Sequence, residues 1–181
     1  MEEKCPFCRT PYPKTDVEAK KMLSKQLERG DPNALSWKAV ECIKEKNYSE
    51  ALKYRLQAAK SGDAEAHLRL GNMYYQGRGV EEDREKAIFH FEESAIGGHP
   101  KARISLAMYE YSTLRNSDRV VKHWIIAAKL GEKEALLERL NKGYKNGLAS
   151  KEAFEEALRG YQEAVNAMKT PQREAAKQNP V

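Results

Sequence analysis

Cys5-Pro6-Phe7-Cys8 places two thiols at C-x-x-C spacing near the start of the chain. As thiolates they could grip one side of a zinc ion, but a closed structural site takes four ligands. The remaining candidates are Cys42 and the four histidines, His67, His90, His99 and His123. None stands at the short spacing from the pair that small zinc sites use. Two readings stay open. In one the pair is a half site that binds no metal within this chain. In the other a second chain completes a tetrahedral site, and zinc is held only there. No other cofactor is expected.

Further chemistry-bearing spacings are sparse. Gly77-Arg78-Gly79 lacks both the Lys-Ser/Thr ending of a phosphate loop and a preceding strand, so it reads as a turn. Glu81-Glu82-Asp83 directly precedes a helical pattern, where acids favour the positive end of the dipole. His90 and His123 stand at equivalent positions beside Phe91 and Trp124 and read as partly exposed helix residues, not as ligands or bases. Cys42 reads as a small core residue. No Ser/His/Asp set or carboxylate pair stands out, and no enzyme is expected.

The bulk properties bound the class. Charged residues make up 33% of the 181 and hydrophobic ones 40%, which suits a helix-rich globular chain. The net charge of +5 comes from 32 basic and 27 acidic residues with their signs intermixed. Such mixing indicates solvated helix faces and argues against a nucleic-acid surface. No apolar run is long enough to span a bilayer, and no secretory signal is expected. Three cysteines are too few and too odd for a disulfide framework, so a cytoplasmic or nuclear location is expected.

The elements that must position these residues repeat. Ala51-Leu-Lys-Tyr-Arg55, Ala87-Ile-Phe-His-Phe91, Val120-Val-Lys-His-Trp124 and Ala157-Leu-Arg-Gly-Tyr161 share a small or β-branched residue, then a bulky one four later. A small residue follows three further on: Ala58, Ser94, Ala127 and Ala164. Steps of four and three put all three on one helical face. A second helix precedes each, opening after Gly30, Gly62, Gly98 and Gly131, glycines suited to left-handed C-caps. Turn residues separate the two helices, and the unit is a helical hairpin of a length that stacks into solenoids. Thr15-Asp16-Val17-Glu18 is a capping-box pattern. It opens an additional helix whose Val17, Met22, Leu23 and Leu27 are expected to cover the first hairpin. On the last helix Phe154, Ala157, Leu158, Tyr161, Val165 and Met168 form an apolar stripe.

Ala64 to His99 resembles the Sel-one-like repeat, a relative of the tetratricopeptide repeat. The resemblance rests on Ala66, Leu70-Gly71, Tyr74, Gly77-x-Gly79-Val80, Asp83, Lys86-Ala87, Phe91, Ala95 and Gly98. It implies an all-α, right-handed solenoid of antiparallel helical hairpins. The expected organisation is a capping helix over 15–29, repeats near 30–61, 62–97, 98–130 and 131–168, and a flexible tail over 169–181. Cys5-Pro6-Phe7-Cys8-Arg9 resembles the closing cysteine pair of a RING-type zinc domain, making 1–14 a partial RING-like tail.

In such solenoids the first helix of each pair lines the concave surface. Mapped onto this chain, that implies a partner-binding face of Asn72, Tyr75, Tyr111, Asn141 and Tyr144. The three tyrosines share one repeat position, where they serve either recognition or packing between hairpins. The expected function is a non-enzymatic scaffold that binds a protein or peptide segment on its concave face. The alternative is the substrate-recruiting part of a RING-type E3 ubiquitin ligase.

Overall fold

The computed structural model describes residues 15–113, 117–132 and 134–168, all helices and short connections, with no strand among them. The chain divides into two compact units, Met1–Asp63 and Ala64–Val181.

The first unit holds α1 (Asp16–Glu28), α2 (Pro32–Lys44) and α3 (Tyr48–Lys60). Each start is written in the sequence. Thr15 Oγ1 accepts from the Glu18 amide at 3.2 Å, as the capping-box pattern requires. Asp31 accepts from the amides of Asn33 and Ala34 with Pro32 at the first helical position. Asn47 caps α3 through the Glu50 amide. Between α2 and α3 lie Leu35, Ala39, Cys42, Ala51 and Ala58, all buried. Arg55 is buried with them and donates from Nη1 to Ser36 Oγ at 2.6 Å. A cation at this depth is tolerable only when hydrogen-bonded.

α1 departs from expectation. It has no fully buried residue, and Val17 is exposed. Met22, Leu23 and Leu27 are half-buried. Val17 lies in the first turn, and only the middle and end of the stripe find cover.

The second unit holds α4 (Ala64–Gln76), α5 (Arg84–Ile96), α6 (Pro100–Thr113), α7 (Ser117–Lys129), α8 (Glu134–Lys145) and α9 (Lys151–Met168). α4 packs on α5, α6 on α7, and α7 also on α9. Asp83 caps α5 through the Lys86 amide at 2.9 Å, so the acidic run does cap a helix. Gly62 and Gly98, ahead of α4 and α6, have φ of +82° and +81°, a region in which a Cβ is strained. Within the α4–α5 hairpin Phe91 is buried against Gly71, where an added Cβ would lie 2.5 Å from the ring. Small residues at helix contacts recur at Ala87, Ala102, Ala107, Ala127 and Ala157, each 0–1% exposed.

α9 presents a narrower face than its apolar stripe suggests. Ala157 and Gly160 are buried, whereas Leu158 and Met168 are exposed. Gly160 sits so close to Lys129 that a Cβ would lie 2.4 Å from its Cγ. The close approach to α7 is made by small residues, which turns Leu158 toward solvent.

Candidate functional site

The second unit carries a groove of about 360 Å³ lined by α4, α6 and α8, with α7 beneath. Its walls include Tyr75, Met108 and Tyr111, which are 44%, 51% and 53% exposed. Trp124, only 7% exposed, forms the floor. Gly143 packs against that floor so closely that a Cβ there would stand 3.0 Å from Trp124 Cζ3. Trp124 Nε1 is buried with no hydrogen-bond partner among the described residues. Arg139 and Lys142 line the α8 side, and none of the groove-lining residues is acidic.

The five sequence-predicted residues divide here. Tyr75 and Tyr111 meet in this groove. Asn72 adjoins it, lining a smaller groove of about 180 Å³ that shares Tyr75 and Met108. Asn141 is exposed on α8 but lines neither groove. Tyr144 is 43% exposed and stacks on Phe154, with ring centroids 6.0 Å apart. Of the three tyrosines it is thus the one that packs between helices.

Sequence reasoning missed Arg139, Lys142, Gly143 and Asn146. They stand at i, i+3, i+4 and i+7, one helical face. That periodicity was legible, but it is polar, and only apolar periodicity marks a core.

Of the two histidines, His90 departs from expectation and His123 is partly buried as expected. His90 is buried, not partly exposed, with its Nδ1 3.0 Å from His67 Nδ1 across the α4–α5 hairpin. Tyr74 stacks on it at 5.5 Å. Burial, reinforced by His67, pushes the His90 pKa down to about 4. His123 Nε2 lies 3.7 Å from Glu110 Oε2, and Arg119 Nη2 lies 2.7 Å from Glu110 Oε1. Burial lowers the His123 pKa, while the Glu110 carboxylate opposes that shift. Cys42 is buried and its thiol pKa is raised by burial, which keeps it protonated and inert.

Cys5 and Cys8 lie outside the described residues. Among the described residues, no group of three or more His, Cys, Asp or Glu is placed to hold a metal ion. No described helix is long and apolar enough to cross a membrane.

Comparison with known proteins agrees with this architecture. Residues 43–63 and 64–99 match the Sel1 repeat. No curated protein matches the chain. Among solved structures, a Sel1 repeat protein from Oxalobacter formigenes is 27% identical with a TM-score of 0.68, over 85% of this chain and 66% of that one. A protective antigen of uropathogenic Escherichia coli displaying an SLR fold is 22% identical with a TM-score of 0.65, over 84% of this chain and 34% of that one. An immunity protein from Pseudomonas aeruginosa is 16% identical with a TM-score of 0.60, over 93% of this chain and 68% of that one. This chain therefore spans about two thirds of the first structure's length and one third of the second's. Residues 43–99 are thus similar to the Sel1 repeat, and the chain has the all-α helical-repeat solenoid fold.

Proposed function

We propose that this chain is a non-enzymatic scaffold that binds a segment of a protein partner on the face made by α4, α6 and α8. The observation that carries this reading is the groove floored by Trp124, with Tyr75, Met108 and Tyr111 standing exposed around it. Exposed large apolar side chains gathered at a concavity mark interaction surfaces more often than scattered ones do. Helical-repeat arrays use such first-helix surfaces for extended or helical peptides. Tyrosine supplies contact area with few rotors, and Asn72 and Asn141 each offer a donor and an acceptor to a peptide backbone. On this reading no metal is held within this chain alone, because Cys5 and Cys8 supply two of the four ligands of a closed zinc site, and zinc would be held only where another chain completes it. No observation among the described residues favours the ubiquitin-ligase alternative, whose motif, Cys5 to Arg9, lies outside them.

The test is a direct affinity measurement on a purified partner first obtained by affinity capture. Asn72→Ala with Tyr111→Ala should weaken binding by about 2–4 kcal/mol and leave helical content unchanged. Unchanged affinity would contradict the proposal. So would unfolding of Tyr111→Ala alone, which would make that half-exposed ring a packing residue.

A further inference from the structure

The groove's chemistry is lopsided, and that asymmetry specifies an occupant. On the α4 and α6 sides the walls are Tyr75, Met108 and Tyr111; on the α8 side they carry Arg139 and Lys142. The two cations are three residues apart on α8 and therefore neighbours on its surface. Between the two sides lies the edge of the nearly buried Trp124 indole, with Gly143 packed close against it. A ligand seated there meets apolar area below and on one flank, and fixed positive charge on the other.

Resting on the scaffold reading above, the geometry points to a partner segment that sets a large apolar side chain beside an acidic residue. The apolar side chain sits on the Trp124 floor among Met108 and the tyrosines. The neighbouring Asp or Glu meets Arg139, whose planar fork fits a carboxylate with two parallel hydrogen bonds, with Lys142 adding a point charge. Burial of the apolar anchor supplies affinity, and the charge match supplies orientation and choice among partners. The chain's own residues 169–181 hold three basic residues and one acidic residue, the same net sign as the groove's α8 side. Charge therefore favours a separate partner over this segment. Aromatic rings and cations also suit single-stranded nucleic acid. Here the aliphatic side chains of Met108 and Leu148 interrupt the aromatic surface, and two cations do not make a track for a phosphate backbone.

The full chain is used to select from a random twelve-residue peptide library displayed on phage, and the selected sequences are made as fluorescein-labelled peptides for anisotropy titrations. The expected outcome is enrichment of Leu, Ile, Met or Phe adjoining Asp or Glu. Replacing the acidic residue by its amide in the peptide should weaken binding about ten-fold, the size of one charged hydrogen bond. Arg139→Glu with Lys142→Glu should lose the acidic peptide and gain one bearing Lys in its place, and affinity should fall as salt rises. The peptide substitution keeps the test valid even if the double variant of the chain folds poorly. Peptides that lose binding with Tyr111→Ala but show no acidic preference would overturn the proposed partner chemistry alone. No selected peptide, or peptides indifferent to Tyr111→Ala and Gly143→Leu, would overturn the groove reading beneath it. A twelve-residue oligothymidylate that binds more tightly than any selected peptide would replace the peptide with nucleic acid.

Discussion

Phe91 and Trp124 hold the same repeat position, yet one ring borders a smaller groove and the other floors a larger one. Both are nearly buried, at 3% and 7% exposed, and both rest against a glycine. Phe91 meets Gly71 of its own hairpin partner, α4, with no room for a Cβ at 2.5 Å. Trp124 meets Gly143 of the next helix along, α8, at the looser distance of 3.0 Å. The cavity that Phe91 borders is about 180 Å³, half the volume of the one above Trp124. Repeat position thus sets burial, and the two rings, each in a buried cluster and each bordering a groove, differ in which helix supplies the glycine and in the size of the groove. The histidines before the two rings both face the first helix of their own hairpin and differ only in partner. His90 pairs with another histidine inside its hairpin, and His123 faces the buried carboxylate of Glu110.

The largest expected effect comes from removing either ring. Phe91→Ala and Trp124→Ala should each cost about 3–5 kcal/mol in chemical denaturation, the range for a buried aromatic. A loss within error for Trp124→Ala would place that ring on the surface and dissolve the comparison.

Acid should act next. The His90 pKa is pushed below its ordinary value to about 4, so on acidification the unfolded chain takes up a proton before the folded one does. The stability this residue contributes is complete above pH 6.5 and is lost as pH falls toward 4, by at most about 3 kcal/mol. His90→Gln should flatten that part of the stability profile measured by denaturant midpoints. An unchanged slope would mean that His90 is not buried against His67.

The glycines separate the two regions more finely. Gly71→Ala drives a methyl into a packed ring and should destabilise by about 1–3 kcal/mol. For Gly143→Ala the contact is looser and the helix gains about 1 kcal/mol of propensity, so stability should stay within about 1 kcal/mol of the parent. Equal losses at the two glycines would erase the distinction between the tighter and the looser contact.

Much of this was legible in the residues. Thr15, Asp31, Asn47 and Asp83 announce helix starts because each carries a short oxygen acceptor just before an apolar pattern, and each does cap a helix. The small-bulky-small repeat located the buried faces, including Arg55, whose charge hid a core position until Ser36 appeared as its partner. Tyr75 and Tyr111 were named from the repeat resemblance, and both line the groove. What could not be read depends on helix rotation and on which neighbour approaches. Leu158 and Met168 belong to the apolar stripe, but small residues on α9 make the close contact and leave both exposed. The α8 face of Arg139, Lys142, Gly143 and Asn146 has helical periodicity without hydrophobicity, so nothing in the sequence distinguishes it from a solvated face until α6 and α7 stand beside it.

The most direct test of the groove uses the chain's two tryptophans, Trp37 and Trp124. Their indole N–H groups give two side-chain signals in a nitrogen–proton correlation spectrum, assigned by the loss of one in Trp37→Phe. On titration with a peptide selected against the full chain, the Trp124 signal should move saturably while that of Trp37, which lies in the other compact unit, stays in place. Saturable peptide binding with the Trp124 signal unmoved would contradict the account.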